Sequence, residues 1–301
     1  MTKRQKQKLI KGILTVVCLG ILALLWYFIM PMLNEPEEPR EVPDGVAEIH
    51  FIDVGQGDAT LIRVGEKNIL IDTGEKDAQD ALLAYLDGQG VKELEYFVVT
   101  HFDSDHFANA VKILDTYDVK KLLIPDQVKN TKTYLSFMEK VEEQAEKGDI
   151  EVLNANEMIG EKLDVNSLEL TVLAPLKNNY DDSNDYSVVL MACYGNRRVL
   201  LSGDAEKESE EDMTEVYTSK ELNCDIFKLG HHGSRTSSSQ ALLDLATPEY
   251  VVACCGTDNK YGHPHPEVLE RVKDLKLYRT DTQGSIIFSI ENDVITVKTE
   301  K

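Results

Sequence analysis

The heptapeptide THFDSDH, residues 100–106, decides how the rest of this sequence is interpreted. It directly follows the apolar run LEYFVV, residues 94–99, which predicts a buried β-strand. Two imidazoles and two carboxylates therefore lie within six residues at a strand end, and these groups together are typical ligands of divalent cations. A helix N-terminus capped by aspartate is the alternative, and it accounts for Asp103 or Asp105 but not for both histidines.

Two further polar clusters follow apolar runs. Asp204 ends RRVLLSGD, residues 197–204, and the pair His231-His232 follows CDIFKL. Neither cluster is specific alone, because a strand-end aspartate often caps a helix and adjacent histidines often only hydrogen-bond. If the three strand ends converge, they supply three histidines and three aspartates, with a fourth histidine to spare, for two adjacent cations. Because successive strand residues point to opposite faces, one of the paired histidines is expected to be a ligand and the other to contact substrate.

Strand-like runs alternate with amphipathic helical patterns from residue 47 onwards, and the same order of elements occurs twice without a short sequence repeat. One mixed sheet covered by helices on a single face would leave the other face bare. Two packed sheets flanked by helices are therefore predicted. The predicted strands fall in residues 48–54, 59–64, 68–74, 94–101, 120–125, 150–153, 168–175, 187–195, 197–204, 224–232, 249–255, 276–281, 284–290 and 293–298. The predicted helices cover 78–86, a segment from about 105, 133–147, 205–218, 240–246 and 266–272.

The N-terminal segment predicts a membrane anchor. Residues 1–11 form a basic tail, 12–33 contain no charged side chain and are long enough as a helix to cross a bilayer, and 34–46 form a linker rich in proline and glutamate. The positive-inside rule places the N-terminus in the cytoplasm, and so predicts a single-pass protein of the cell membrane with residues 47–301 outside the cytoplasm. A cleaved signal peptide is the alternative, but the apolar run is longer than usual and no A-x-A-like site follows it.

Composition excludes several classes of protein. The 301 residues carry a net charge of −21, and beyond residue 34 there are 27 basic and 53 acidic side chains, a net charge of −26. Such a surface disfavours sequence-independent wrapping of a polyanion, which needs clustered cations. Five cysteines without a CxxC pair exclude a disulfide scaffold and a thiolate zinc knuckle. Any role with nucleic acid must therefore depend on a local site.

Together these motifs resemble those of the metallo-β-lactamase-fold hydrolases, and most closely the hydrolase domain of ComEC-like DNA-uptake (competence) proteins. The resemblance covers residues 47–301 and includes HFIDVGQGDAT at 50–60, IDTG at 71–74, HxDxDH at 101–106, GDAE at 203–206, GHHGS at 230–234, YGHPHPEV at 261–268 and RTDTQGSI at 279–286. It implies an α/β fold, a four-layer αββα sandwich with a binuclear metal site at its rim.

Carried over position by position, the resemblance places the metal ligands. His101 and Asp103 would bind one ion, Asp105 and His106 the other, and Asp204 would bridge them. One of His231 and His232 would complete the site, with Asp105 and His231 expected to take part in catalysis. Asp103 stands where the family commonly has a second histidine, and residues 184–187 lack the further histidine of many members. The oxygen-rich ligand set makes Mn²⁺ a competitor of Zn²⁺.

Further residues are expected around these ligands. Asp72 is predicted to orient the 101–106 loop. Asp53 and Asp58 either do the same or cap their own turn. His263 and Tyr261 are predicted to contact substrate, and so is Ser234. Alternatively, His263 is an ordinary loop histidine, and the Ser234 hydroxyl caps the helix that follows.

The resulting hypothesis is a membrane-anchored, extracytoplasmic hydrolase that uses two divalent cations to cleave phosphodiester bonds. Its expected partner is an anionic phosphodiester substrate, with DNA as the first candidate, and no protein partner is deducible. With one span, the chain is not expected to transport DNA itself. The alternatives are hydrolysis of a small envelope phosphodiester of the phosphorylcholine or teichoic-acid type, and a metal-binding module without turnover.

Overall fold

The computed structural model describes residues 41–301 and, before them, residues 2, 4, 20 and 24–26. The chain divides into two units, Met1–Arg40 and Glu41–Lys301. The predicted basic tail, the membrane helix over 12–33 and the start of the linker lie outside the described residues, apart from these few positions. Within the described part of the chain, no helix combines the length and the apolar character that a bilayer crossing requires.

The second unit consists of short strands and helices. Its strands are β1 (Val46–Phe51), β2 (Thr60–Val64), β3 (Lys67–Ile71), β4 (Glu93–Val98), β5 (Asp118–Ile124), β6 (Glu151–Asn154), β7 (Lys162–Val165), β8 (Leu168–Ala174), β9 (Val189–Tyr194), β10 (Arg197–Leu201), β11 (Ile226–Lys228), β12 (Tyr250–Ala253), β13 (Lys276–Arg279), β14 (Ile286–Glu291) and β15 (Val294–Thr299). Its α-helices are α1 (Gln79–Gly88), α2 (Ser104–Phe107), α3 (Ala110–Thr116), α4 (Lys132–Lys147), α5 (Lys207–Val216), α6 (Ser219–Leu222), α7 (Gln240–Ala246), α8 (Pro266–Arg271) and α9 (Thr280–Gln283).

The strands form two sheets of similar design. One has the order β15-β14-β1-β2-β3-β4-β5-β6 and the other β13-β12-β11-β10-β9-β8-β7. In the first, β3 to β6 run parallel; in the second, β10 to β13 do. The other neighbours are antiparallel. The carboxyl ends of parallel strands are the usual location of functional loops in such sheets.

Alternation along the strands explains the four layers. In β3, Ile69 and Ile71 pack into a core that contains residues of both sheets, such as Leu170 and Val199. Leu70 points the other way and packs with Leu82 of α1. On the outer face of the second sheet, a third core joins its strands to α5, α7 and α8. The predicted two-sheet sandwich flanked by helices is confirmed.

The structure differs from the sequence prediction in several elements, and helices α6 and α9 are among those that were not predicted. Strand β7 was not predicted, because its sequence KLDV carries too little apolar signal. The helix expected from about Asp105 is two short helices, α2 and α3, separated at Ala108 and Asn109. The strand expected over 224–232 ends at Lys228, and residues 230–233 form a tight turn in which His231 and His232 have positive φ.

Candidate metal centre

Asp72 connects the end of β3 to the loop after β4. Its Oδ1 accepts a hydrogen bond from the Thr100 backbone N–H at 2.8 Å, and its Oδ2 lies 2.6 Å from Thr100 Oγ1. The same Oδ2 lies 2.7 Å from His106 Nδ1. A carboxylate at Nδ1 keeps the proton on that nitrogen and leaves Nε2 free to bind a metal. Asp72 therefore lies where the sequence places an orienting residue.

Four side chains from three segments of the chain, including His106 itself, lie close together. His106 Nε2 lies 3.1 Å from Asp204 Oδ1, and His232 Nε2 lies 3.3 Å from Asp204 Oδ2. His232 Nε2 is also 3.2 Å from Asp105 Oδ2. We refer to Asp105, His106, Asp204 and His232 as the Asp204 cluster. It joins residues that are up to 127 positions apart in the sequence.

The chemistry of this cluster fits a divalent cation. His106 Nε2 and Asp204 Oδ1 are buried and have no hydrogen-bond partner, even though they lie close to each other. Burial alone would raise the pKa of Asp204, but the imidazoles of His106 and His232 hold it well below its usual value, so the group is an anion. Buried polar atoms without partners are costly, and a cation would satisfy them.

Asp58 also belongs to the buried group that could hold a metal. Asp58, His106, Asp204 and His232 each offer one ligand atom, and these atoms lie within 4.8 Å of one another. Asp58, however, approaches the rings from behind: its oxygens lie 3.4 Å from His232 Nδ1 and 3.9 Å from His106 Nδ1. Asp204 faces the Nε2 atoms instead. Asp58 therefore supports the ligands from the side away from Asp204.

His101 and Asp103, which we call the His101 side, have different surroundings. His101 is buried, and its Nε2 has no hydrogen-bond partner. Burial, together with the charge of neighbouring His106, lowers its pKa to about 3, so the imidazole is neutral and can act as a ligand. Asp103 Oδ1 instead lies 2.8 Å from Lys129 Nζ and 2.7 Å from Ser183 Oγ. His101 Nε2 thus has no competing partner, whereas one oxygen of Asp103 already has two.

The structure separates the roles of the two adjacent histidines. Both have left-handed backbone conformations, with φ of 47° at His231 and 57° at His232, so the strand alternation assumed from the sequence does not apply. His232 is buried within the Asp204 cluster, and its Nδ1 lies 2.9 Å from the Cys254 carbonyl oxygen. His231 is partly exposed, with Nε2 3.7 Å from Asp204 Oδ2 and Nδ1 2.6 Å from Glu206 Oε1.

A cleft of about 130 Å³ opens onto this group. Its lining residues are Gln56, Asp103, Asp105, Asn184, Asp204, His231, His232, Tyr261 and His263. Tyr261 is exposed at the mouth and stacks on His263, with ring centroids 5.5 Å apart, and His263 stacks on His232 at 6.0 Å. The predicted substrate residues Tyr261 and His263 therefore border the cleft.

Two residues predicted around the site lie elsewhere. Ser234 does not line the cleft, and its Oγ lies 2.8 Å from Thr236 Oγ1. Asp53 accepts a hydrogen bond from the Gly55 N–H at 3.2 Å and contacts Lys301, as expected for a turn cap. The Asp53 contacts match its alternative role as a turn cap, but the following helix α7 is capped by Ser239 and not by Ser234.

The sequence interpretation missed two residues next to the ligands. Glu206 contacts His231. The sequence feature that could have indicated Glu206 is its place at the end of the GDAE motif. Lys228 Nζ lies 2.5 Å from Asp58 Oδ2, with both side chains almost fully buried. The sequence feature that could have indicated Lys228 is a single lysine in the otherwise apolar end of CDIFKL. A lysine buried in a strand needs a charged or polar partner.

Comparison with known proteins agrees with this fold. The family model described as metallo-beta-lactamase superfamily matches residues 52–257. The chain is 29% identical over 302 residues to ComE operon protein 3 of Bacillus subtilis (strain 168), covering 93% of this chain and 36% of that protein. It is 29% identical over 285 residues to competence protein ComA of Neisseria gonorrhoeae, covering 91% and 38%. The chain thus spans little more than a third of these relatives.

A solved structure gives the same picture of the fold. The metallo-beta-lactamase fold protein YhfI from Bacillus subtilis superposes with a TM-score of 0.51 and 10% sequence identity, covering 79% of this chain and 98% of that chain. At this identity the similarity concerns the fold alone.

Proposed function

We propose that this chain, which belongs to the metallo-β-lactamase superfamily, is a metal-dependent hydrolase that cleaves phosphodiester bonds, with DNA as its first candidate substrate. The observation that carries the proposal is the Asp204 cluster, where two imidazole Nε2 atoms and two carboxylates converge at the floor of a cleft. The similarity to competence proteins supports the same substrate class.

We expect two divalent cations, Zn²⁺ or Mn²⁺, in this site. The Asp204 cluster would hold the tighter ion, and His101 and Asp204 would hold the other, which would compete with Lys129 for Asp103. When bound, such cations lower the pKa of a coordinated water and polarise the phosphoryl oxygen, so no protein nucleophile is required.

The charge distribution is compatible with an anionic substrate. Outside the first 34 residues the net charge is −26, which disfavours long contacts with a polyanion. Cations in the cleft would neutralise its carboxylates and make the local potential positive. His231, held at Nδ1 by Glu206 and partly exposed in the cleft, is placed to contact the substrate near Asp204.

We further propose that residues 12–33 anchor the protein in the cell membrane. The absence of charge in this segment, the basic tail before it and the acidic linker after it support an extracytoplasmic position of residues 47–301. Alkaline phosphatase and cytoplasmic-reporter fusions at the C-terminus would test this orientation. A C-terminus on the cytoplasmic side would contradict it.

The hydrolase proposal can be tested on the full chain purified in detergent. With Mn²⁺ or Zn²⁺ we expect cleavage of DNA and of bis(p-nitrophenyl) phosphate, and loss of both activities in Asp204→Ala and after chelation. Asp164→Ala, an exposed aspartate in edge strand β7, is the matched control and should keep full activity. No cleavage of either substrate with any divalent metal would overturn the proposal.

A small envelope phosphodiester, such as a phosphorylcholine or teichoic-acid unit, is the second candidate substrate. The cleft volume of about 130 Å³ and the acidic surface favour a small molecule over a long polymer. Comparing kcat/KM on glycerophosphocholine and on a short single-stranded DNA distinguishes the two. A folded protein that binds metal but turns over neither substrate would indicate a metal-binding module.

A further inference from the structure

Lys228 is a buried cation placed directly behind the Asp204 cluster. It is the last residue of β11, and 4% of its side chain is exposed. Its Nζ lies 2.5 Å from Asp58 Oδ2, 3.0 Å from the Gly203 carbonyl oxygen and 3.2 Å from the Leu229 carbonyl oxygen. The ammonium group thus donates to two backbone carbonyl oxygens and forms an ion pair with one carboxylate, as a buried charge requires.

These acceptors belong to the segments that carry the proposed ligands. Gly203 directly precedes Asp204, and Leu229 directly precedes the turn with His231 and His232. Asp58 is joined to the third segment, because its backbone N–H donates to the Asp105 carbonyl oxygen at 3.1 Å. One ammonium group therefore connects all three ligand segments.

The approach of the Asp58 loop to Asp105 is close and specific. At Gly57, with φ of 149°, a β-carbon would lie 2.5 Å from the Asp105 carbonyl oxygen, so only glycine fits. Asp58 is thereby held behind the His106 and His232 rings, with its carboxylate at their Nδ1 atoms. Lys228 forms an ion pair with this carboxylate at Oδ2.

We propose that Lys228 is a positioning residue of the metal site. It fixes the spacing of the Asp105, Asp204 and His232 segments, and it retains Asp58 behind the imidazoles rather than among the metal ligands. This inference rests on the proposed function, since it assumes that the Asp204 cluster binds a divalent cation.

The experiment compares Mn²⁺ binding in variants of the full chain, by calorimetric titration and by the electron paramagnetic resonance of bound Mn²⁺. Lys228→Met alone leaves Asp58 buried without its partner, which endangers the fold. Lys228→Met combined with Asp58→Asn removes both charges and avoids this problem. Lys177→Met, which breaks a surface pair with Asp212 at 2.7 Å, is the control.

We expect the double variant to keep a metal-free unfolding midpoint close to that of the wild type but to bind Mn²⁺ at least about tenfold more weakly, with an altered Mn²⁺ spectrum. Lys177→Met should bind as the wild type does. Unchanged Mn²⁺ affinity in the double variant would overturn the inference, because Lys228 would then only neutralise Asp58.

Lys228→Gln combined with Asp58→Asn covers the case in which the methionine variants do not fold, because it removes both charges and retains amide donors for the two carbonyl groups. Wild-type Mn²⁺ affinity and spectrum in this variant would overturn the part of the inference in which Lys228 acts by retaining the Asp58 carboxylate. A wild-type chain that binds no divalent cation would overturn the proposed function and this inference together. Failure of the inference alone and failure of the proposed function therefore give different experimental results.

Discussion

The two sides of the candidate metal centre are built from similar residues but differ in how completely they are assembled. In the Asp204 cluster, imidazole Nε2 atoms and carboxylates face one another at 3.1 to 3.3 Å. On the His101 side, Nε2 of His101 has no hydrogen-bond partner, while Oδ1 of Asp103 is bound to Lys129 and Ser183. The comparison teaches that a ligand residue type at a motif position does not ensure an available ligand atom.

The two sides differ in how deeply their residues are buried and in how firmly neighbouring residues hold them. His106 and Asp204 are both buried, Asp72 holds His106 at Nδ1, and the Asp204 backbone N–H donates to Ser187 Oγ at 3.0 Å, so their orientation is determined by buried contacts. Asp103 is 37% exposed and pairs with a lysine from a loop. A partly exposed ion pair contributes little free energy and is readily exchanged. We therefore expect a tight ion at the Asp204 cluster and a weaker one at the His101 side.

The largest effect is expected from Asp204→Ala, because the proposed site uses this carboxylate as a ligand of both ions. Both ions should be lost, and hydrolytic activity should fall by more than about 100-fold, since even residues that only orient ligands cost about 10–100-fold. Metal content by mass spectrometry and activity on bis(p-nitrophenyl) phosphate check this. Retention of one tight ion would show that the two sides do not share Asp204.

Two single substitutions, one on each side, distinguish the two proposed ion sites directly. His232→Ala should remove the tight ion, whereas His101→Ala should remove only the weaker one and leave about one tightly bound equivalent per chain. Calorimetric titration with Mn²⁺ of the metal-free variants measures both stoichiometry and affinity. Equal losses in the two variants would contradict the proposed asymmetry.

A smaller effect on metal binding is expected when a residue that orients a ligand is substituted. Asp72→Asn keeps the shape of the side chain but removes the charge at His106 Nδ1. Metal affinity of the Asp204 cluster should fall by about 10–100-fold, with a smaller change at the His101 side. Asp53→Asn, in a turn without contact to the ligands, is the matched control. An unchanged affinity in Asp72→Asn would remove the orienting role.

The smallest effect is expected from Lys129→Met, which removes one of the two donors at Asp103 Oδ1 and leaves Ser183. Binding at the His101 side should strengthen by no more than about fivefold, the range of a partly exposed ion pair. Titration of the weaker Mn²⁺ site checks this, with the Asp204 cluster as an internal reference. Weaker binding in this variant would show that Lys129 supports the site instead of competing for Asp103.

Local sequence was sufficient for the architecture and for most of the candidate site. Alternation in runs such as NILID predicted strands, and their number and order predicted two packed sheets. The motifs at 101–106, 203–206 and 230–234 identified the residue types of the Asp204 cluster. Strand β7 was missed because four residues of mixed polarity carry no clear period. The membrane anchor stays a prediction, since it lies outside the described residues.

The sequence by itself determined that histidines and aspartates stand at the ends of several buried strands, because apolar periodicity and residue type are local properties. Only the tertiary structure decided which of His231 and His232 faces Asp204, that Lys129 and Ser183 bind Asp103, and that Lys228 supports Asp58. The direction of a side chain at a strand end depends on the turn that follows and on neighbours from distant segments. Positive φ at His231 and His232 and contacts across more than a hundred residues leave no local pattern in the sequence.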